Sequence, residues 1–197
     1  MRCGLLYSGG KDSTLAALLL APVADVTLVT ASFGITDEWQ LAREAAEAVG
    51  LPFERLEIDA AVAEEAVETI IEDGYPRNGI QRVHEHALER IAAKDYDLVG
   101  DGTRRDDRVP SIDRAAARSL EDRYGIGYVA PLAGFGRQTI DQLVEERLTV
   151  TSGPSETVGR ADYEGELRAR IADRWNKSRV ETIFPAHEQS RVTGTNR

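Results

Sequence analysis

Short apolar runs alternate with longer amphipathic segments over the first 150 residues or so. The apolar and β-branched runs predict five strands, at residues 4–7, 26–33, 53–58, 97–100 and 128–132. The segments between them predict helices, at residues 13–20, 37–49, 60–94 with a break at 73–76, and 111–124. Strands that alternate with helices in this way predict an α/β fold with a doubly wound, parallel, five-stranded sheet.

Residue types at the ends of these segments indicate where the helices begin and stop. Asp37 is the predicted N-cap of the second helix, and Gly50 is its predicted stop. Either Ser111 or Asp113 caps the helix before the fifth strand. Apolar and charged residues alternate over 53–58, so we expect the third strand to lie near an edge of the sheet.

The chain after residue 150 is strongly charged and its pattern is helical, with one helix predicted over 162–175. We therefore expect a small helical C-terminal extension over 151–197. Its apolar residues 183–185 are followed by a compact group of polar side chains, namely His187, Gln189, Ser190 and Arg191. Three interpretations stay open: this group closes over an active site, binds an anionic partner, or is a frayed tail.

The composition is that of an ordinary globular protein, with 42% hydrophobic residues. No apolar run approaches the roughly 20 residues of a membrane span. Polar residues 8–12 interrupt the first apolar stretch where a signal peptide would still be apolar. We expect a soluble, cytoplasmic protein with no membrane partner.

Charge and cysteine content narrow the function further. The net charge of −10 disfavours a protein that coats nucleic acid. Lysine is scarce, with only Lys11, Lys94 and Lys177 among 24 basic residues, which indicates either a high-salt cytoplasm or a genome that favours arginine codons. Cys3 is the only cysteine, which excludes an intrachain disulfide, a cysteine metal cluster and a relay of two thiols.

The loop after the first strand, residues 8–13, carries the chemistry of a phosphate site. Open α/β sheets bind ligands beyond the carboxyl ends of their strands, where this loop is predicted to lie. Gly9 and Gly10 let the backbone approach a ligand closely, and the helix that follows directs unpaired N–H groups to the same place. Lys11 adds a positive charge, and two serines add hydroxyl donors.

The spacing of these residues selects one kind of phosphate loop. A Walker loop reads G-x-x-x-x-G-K-[ST], but Gly4 lies six residues before Gly10, and Asp12 follows Lys11. A dinucleotide fingerprint needs three spaced glycines, which are absent here. Residues 8–13 instead match the S-G-G-x-D-S pyrophosphate loop. The chain therefore resembles the PP-loop ATP pyrophosphatases, the adenine nucleotide alpha hydrolases of the HUP superfamily.

The resemblance covers residues 1–150 and implies a PP-loop adenine-nucleotide-binding domain with the Rossmann-like HUP fold. It implies ATP and Mg²⁺ as cofactors and an enzyme that adenylates a substrate oxygen and releases pyrophosphate. The nucleotide-binding residues expected on this basis are Ser8, Gly9, Gly10, Lys11, Asp12, Ser13, Ser32, Phe33, Gly102 and Thr103. The catalytic residues expected are Lys11, Asp12 and Asp107, and Asp12 and Asp107 are the expected metal ligands.

Asp12 is an acidic residue beside a polyanion, and Mg²⁺ would turn the repulsion into a bridge because it prefers carboxylate together with phosphate oxygens. The structural alternative is that Asp12 is an N-cap in a tight turn.

Ser32 and Phe33 end the second strand, where relatives hold the adenine, although a phenylalanine there also suits the core.

A second polar segment, residues 100–110, follows the fourth strand and is expected close to the first loop, across the switch in strand order. Gly102, Thr103 and Asp107 resemble the Gly-Thr element and the acid four residues on in PP-loop amidating ligases. The segment also resembles the paired acids of the transfer-RNA thiolation branch, with Asp106 as the other acid. Its arginines, Arg104, Arg105 and Arg108, would offset the charge of pyrophosphate. The alternative is a charged surface turn with internal ion pairs.

Histidines and polar residues of the fourth helix give weaker signals. His84 and His86 are two residues apart on a helix, so they cannot bind one metal together, and at most one faces the cleft. Asn78 and Arg82 are candidates for substrate contacts, although capping and surface charge explain them equally well.

The acceptor stays open between two classes. One is transfer RNA, since the whole chain also resembles archaeal stand-alone PP-loop proteins described as subunits of transfer-RNA thiouridine enzymes. The other is a small carboxylate, as in asparagine and NAD synthetases. Either reaction needs a nucleophile, and with a single cysteine we expect sulfur or ammonia from a separate donor protein. A non-catalytic nucleotide sensor is the third hypothesis.

Overall fold

The computed structural model describes residues 1–154, 158–159, 161–184 and 188–196. Its main sheet contains β1 (Arg2–Leu6), β2 (Asp25–Ser32), β3 (Phe53–Glu57), β4 (Leu98–Gly100) and β5 (Gly127–Val129). The strands are all parallel and lie in the order β3-β2-β1-β4-β5, which confirms the predicted doubly wound sheet with β3 at an edge. The order reverses between β1 and β4, so the ligand-binding end of the sheet lies between their carboxyl ends.

The helices of the described residues follow the predicted segments and add two. They are α1 (Lys11–Leu20), α2 (Trp39–Val49), α3 (Ala60–Asp73), α4 (Arg77–Ala92), α5 (Arg114–Tyr124), α6 (Arg137–Arg147), α7 (Tyr163–Arg174) and α8 (Lys177–Ile183). Asp113, rather than Ser111, caps α5 and accepts from Ala116 N–H at 2.8 Å. The prediction that Asp37 caps α2 is wrong by one residue. Glu38 holds that position because Asp37 lies in a tight turn that accepts from Gln40 N–H.

Two apolar clusters cover the two faces of the sheet. On one face the strands pack against α3, α4, α5, α7 and α8. On the other they pack against α1, α2 and α6. Ile183 and Phe184, predicted to anchor the end of the chain, are buried in the first cluster. None of the described helices combines the length and the apolar character of a membrane span.

The C-terminal part contains a strand as well as helices, which the sequence pattern did not indicate. β6 (Leu148–Pro154) and β7 (Glu188–Thr195) form an antiparallel two-stranded sheet. In β7 only Val192 is fully buried, so the strand lacks the apolar alternation that predicts one. Its backbone bonds to β6 form the ribbon instead. The predicted boundary at residue 150 falls inside β6.

Candidate active site

The loop after β1, residues 8–13, is a compact turn held against α2. Gly9 has a φ of +73°, which side chains rarely adopt, and a Cβ there would lie 3.1 Å from Ala42 Cα. The hydroxyl oxygens of Ser8 and Ser13 lie 3.2 Å apart. The loop therefore requires glycine at its second position and directs both hydroxyls inward.

The N-terminus of α1 opens from this loop without a side-chain cap. Gly10 occupies the N-cap position with extended backbone and no side-chain hydrogen bond. N–H groups of an uncapped first turn, together with the helix dipole, attract anions. Lys11 N–H donates to Ser190 Oγ of β7 over a long distance, 3.4 Å, and Asp12 and Ser13 of the same turn line the cavity. The geometry suits a phosphate group.

The segment after β4 forms the opposite wall. A Cβ at Gly102 would lie 2.6 Å from Ser13 Cα and 2.7 Å from Ser13 N, closer than real Cβ atoms come to other heavy atoms. Only glycine therefore fits between this segment and the first turn of α1. The expected proximity of the two segments across the switch in strand order is confirmed.

Arg104 lies between the two acidic residues expected to hold a metal. It donates to Asp107 Oδ1 from Nε at 3.0 Å and from Nη2 at 2.7 Å, and its N–H donates to Oδ2 at 2.8 Å. The same guanidinium lies 3.5 Å from Asp12 Oδ2. Both oxygens of Asp107 are thus occupied. Asp12 Oδ1, in contrast, is buried and accepts no hydrogen bond from the described residues.

Asp12 and Lys11 sit in opposite electrostatic environments. Burial raises the pKa of Asp12, against the attraction of Arg104 and Lys11. A desolvated carboxylate of this kind gains from a nearby cation. Lys11 Nζ donates to Asp141 Oδ1 of α6 at 2.9 Å, and this hydrogen bond lowers the pKa of Asp141. Lys11 is therefore held at the rim of the loop by an ion pair.

A network of buried polar side chains, missed by sequence reasoning, meets the site at Asp101. His84 Nε2 lies 2.9 Å from Asp101 Oδ2, and His84 Nδ1 lies 2.9 Å from the Tyr163 hydroxyl. Tyr128 donates to the same carboxylate at 2.9 Å, and Thr103 donates to it from its N–H and its hydroxyl. Burial alone would raise the pKa of Asp101, but the bonds from His84 and Thr103 hold that pKa below its ordinary value, so the carboxylate is ionised.

The pattern of α4 could have distinguished His84 from His86. His84 lies on the apolar stripe of α4 with Ile80, Val83, Ala87 and Ile91, and a polar residue on such a stripe needs a buried partner. The expectation that at most one of the two histidines faces the cleft is confirmed, since His86 lines a separate surface groove.

A buried carboxylate occupies the end of β2, where sequence analysis placed the adenine. Glu166 of α7 accepts from Ser32 Oγ at 3.1 Å and from Phe33 N–H at 2.6 Å. It also accepts from Ile35 N–H at 3.0 Å and Thr36 N–H at 3.3 Å. The Phe33 side chain packs against the first apolar cluster. The donors predicted to contact adenine are thus bonded within the protein, and a base at this place would have to displace Glu166.

A cavity of about 300 Å³ gathers the two segments and the buried network. Of the predicted site residues, those that line it are Ser8, Asp12, Ser13, Gly102, Thr103 and Asp107. His84, Asp101 and Tyr163 line the same cavity. Gly9, Gly10 and Lys11 belong to the same loop as Ser8 and Asp12 but do not line the cavity themselves.

β7 brings the polar C-terminal group onto the phosphate loop. Val192 N–H donates to the Gly9 carbonyl at 3.0 Å, next to the long Ser190 contact. Of the three interpretations for this group, its closing over the loop has direct contacts in its favour. Gln189 and Arg191 lie in the same strand, whereas His187 lies outside the described residues.

The remaining candidates lie outside the cavity. Asn78 donates to Asp73 at 2.8 Å, and Arg82 pairs with Glu65, as the structural alternative predicted. Arg105 pairs with its neighbour Asp106 at 3.3 Å. Arg108 differs, because it lines a second groove together with Arg77, and within the described ranges neither forms an ion pair.

Comparison with known proteins places the whole chain in one group of relatives. The model of a family of unknown function, DUF7411, matches residues 1–194. Uncharacterized protein MJ0690 of Methanocaldococcus jannaschii is 40% identical over 191 residues, which cover 96% of this chain and 94% of that protein. A crystal structure from the same organism, described as a predicted subunit of tRNA methyltransferase, superposes with a TM-score of 0.90 at 37% identity, covering 100% of this chain and 98% of the other.

A more distant solved structure is U34-tRNA thiolase NcsA from Methanococcus maripaludis with its 4Fe-4S cluster. It has 13% identity and a TM-score of 0.47, and the match covers 93% of this chain and 70% of that one. This similarity is too low to bear on function.

Proposed function

We propose that this chain, which belongs to the DUF7411 family, is a PP-loop enzyme that splits ATP between its α and β phosphates to adenylate an acceptor. The observation that carries the proposal is the first turn of α1, which faces Gly102 and receives no cap from its N-cap residue Gly10, with the buried Oδ1 of Asp12 beside it, which accepts no hydrogen bond from the described residues. An anion site and an unsatisfied carboxylate oxygen at one place suit a polyphosphate together with a cation.

Asp12 fits the Mg²⁺ that such a nucleotide brings. Mg²⁺ is usually bound by one or two carboxylates together with phosphate oxygens and water. Asp12 Oδ1 would supply one ligand, and Asp107 would join only if Arg104 released its carboxylate. When bound, the ion would offset the charge of the leaving pyrophosphate.

The residues of the chain then have distinct tasks. The N–H groups of the first turn and the Ser8 and Ser13 hydroxyls bind phosphate oxygens and orient the α-phosphorus for in-line attack. Lys11 exchanges Asp141 for a phosphate oxygen. Arg104, already between Asp12 and Asp107, stabilises the charge that develops as pyrophosphate leaves.

Transfer RNA is the acceptor that the observations favour. A relative that matches this chain over its full length is described as a predicted subunit of tRNA methyltransferase. Arg77 and Arg108 line a groove together with the acidic residues Glu85 and Asp113, and among the described residues neither arginine forms an ion pair. We propose that these two arginines bind phosphate groups of the RNA, although the chain as a whole has a net charge of −10.

The nucleophile comes from another protein in this proposal. Cys3 is fully buried in β1, and burial raises the pKa of its thiol to about 11. A buried, protonated thiol is a poor nucleophile. Sulfur therefore has to come from a separate donor protein, and ammonia from such a donor or, in an assay, from ammonium in solution.

Pyrophosphate release tests the central claim. We expect the protein, with ATP and Mg²⁺, to release pyrophosphate when unfractionated transfer RNA is added, and Asp12→Asn and Lys11→Ala to lower the rate about 100-fold or more. The matched controls are Asp25→Asn, at the amino end of β2, and Lys177→Ala on α8, which should leave it unchanged. Release of phosphate alone, or no turnover with RNA or with a panel of small carboxylates, would refute the proposal. Turnover with carboxylates alone would select the amidating alternative.

RNA binding is tested separately. Replacing Arg77 and Arg108 by Ala should weaken transfer-RNA binding and reduce the slope of log affinity against log salt by roughly one per lost phosphate contact. Arg90→Ala, at the far end of α4, is the control. If RNA fails to bind at physiological salt, the RNA acceptor has no support.

A further inference from the structure

We propose that Tyr163, His84 and Asp101 form a proton relay that accepts the proton of the nucleophile as it displaces AMP from the adenylated acceptor. The inference rests on the proposed function. It adds the general base that the phosphate loop lacks, since Lys11 is paired with Asp141 and Asp12 faces Arg104.

The direction of the relay follows from its hydrogen bonds. An ionised carboxylate only accepts, so His84 Nε2, 2.9 Å from Asp101, carries the ring proton. The other ring nitrogen, Nδ1, then has a lone pair and accepts a hydrogen bond from the Tyr163 hydroxyl at 2.9 Å. Thr103 and Tyr128 fix the carboxylate by three further bonds, so the imidazole is held in one tautomer.

The position of the relay matches this task. All three residues line the cavity, and Tyr163, at 8%, is the most exposed of them, against 4% for His84 and 1% for Asp101. The same cavity is lined by Asp12 and Ser13 of the phosphate loop. A phenol oxygen has two lone pairs besides its proton and can accept a hydrogen bond from a nucleophile.

The proton transfers balance. As ammonia forms its bond to the activated carbon, AMP leaves with the electron pair of the carbon–oxygen bond, and one N–H bond breaks. That proton moves to the Tyr163 oxygen while the Tyr163 proton moves to His84 Nδ1. The imidazolium is stabilised by Asp101 until it releases a proton to water. Tyr163 is the group that contacts the nucleophile, and His84 and Asp101 act through it as positioning residues.

Asp101→Asn is the sharpest perturbation. Its Oδ1 can keep accepting from Thr103 while its amide NH₂ faces His84 Nε2, so the imidazole must adopt the Nδ1–H tautomer and donate to Tyr163. Nitrogen-15 NMR of the imidazole reports the tautomer, and the chain has only three histidines to assign. We expect Nε2–H in the wild type and in Tyr163→Phe, and Nδ1–H in Asp101→Asn.

Activity is measured as two separate steps, with ATP, Mg²⁺ and unfractionated transfer RNA, and ammonium chloride as the nucleophile. Asp101→Asn and Tyr163→Phe should both keep the first burst of pyrophosphate. Their steady-state rate of AMP release should fall about 100-fold or more below that of the wild type, with the KM for ammonium within about twofold. Tyr75→Phe, an exposed tyrosine, is the control. Tyr163→Phe removes one oxygen and decides the question if Asp101→Asn does not fold.

Two results would overturn the relay: an Nδ1–H tautomer in the wild type, or a normal burst followed by unchanged AMP release in Tyr163→Phe. A wild type without any pyrophosphate burst refutes the proposed function itself, and the relay with it. The two failures are therefore distinguishable.

Discussion

Glu166 reaches from α7 to the end of β2, and its replacement measures how strongly the C-terminal part stabilises the site. The carboxylate is 4% exposed and accepts four hydrogen bonds. Three go to Oε1, and one, from Phe33 N–H at 2.6 Å, goes to Oε2. A buried charge is tolerated here because each oxygen faces donors.

The magnitude follows from what Glu166→Gln leaves unpaired. The amide oxygen can keep the three bonds of Oε1, but the NH₂ group then faces Phe33 N–H, donor against donor. A buried donor without a partner costs about 1–3 kcal/mol. The free energy of unfolding should fall by that amount. At about 2–4 °C per kcal/mol for a chain of this size, Tm should fall by roughly 2–12 °C.

Urea unfolding of the wild type and Glu166→Gln measures this difference directly. The control is Glu44→Gln, on the exposed face of α2, which should change the free energy of unfolding by less than about 0.5 kcal/mol. If Glu166→Gln unfolds within that margin of the wild type with an equal m value, the carboxylate does not stabilise the end of β2 and the reasoning is refuted.

Three other predictions concern the two segments of the site. Asp12→Asn should raise Tm at neutral pH without Mg²⁺. Burial raises the pKa of Asp12, so any stability that its protonated form contributes is lost as pH rises through the folded pKa, and at neutral pH the buried charge destabilises the fold. A lower Tm in differential scanning calorimetry would contradict this. Gly102→Ala should cost about 1–3 kcal/mol and weaken binding of α,β-methylene-ATP in calorimetric titrations, whereas Gly134→Ala, whose Cβ meets nothing within 4 Å, should do neither; equal effects would show that the Gly102 contact is not restrictive. Asp101, with its lowered pKa, should stabilise the fold above the ordinary aspartate pKa of about 3.9 and lose this effect as pH falls through the folded pKa. The free energy of unfolding of Asp101→Asn in urea should therefore depend less on pH in this range than that of the wild type. An equal loss of stability at acid pH in both proteins would contradict the prediction.

Local pattern determined the elements and the position of the phosphate loop. Apolar runs of strand length separated by helices indicated a parallel sheet, and in such a sheet a loop after β1 can lie only at the carboxyl edge. The roles of Gly9, Gly10 and Ser13 in this loop could also be predicted, because the freedom of the backbone and the start of a helix depend on a few neighbouring residues. The segment at Gly102 was placed correctly for the same reason.

Only the tertiary structure decided which side chains meet. Glu166 and Ser32 are 134 residues apart, and Tyr163 and His84 are 79 apart, with no short-range pattern to connect them. β7 lacks apolar alternation and is held by backbone hydrogen bonds to β6. The periodicity of the sequence therefore could not predict that β7 contacts the phosphate loop. Whether a carboxylate oxygen is left without a hydrogen bond from the described residues, as Oδ1 of Asp12 is, or is already bonded, as on Asp107 and Glu166, depends on donors brought together by packing. Sequence alone therefore shows where a ligand can bind, and the tertiary contacts determine which groups are left to bind it.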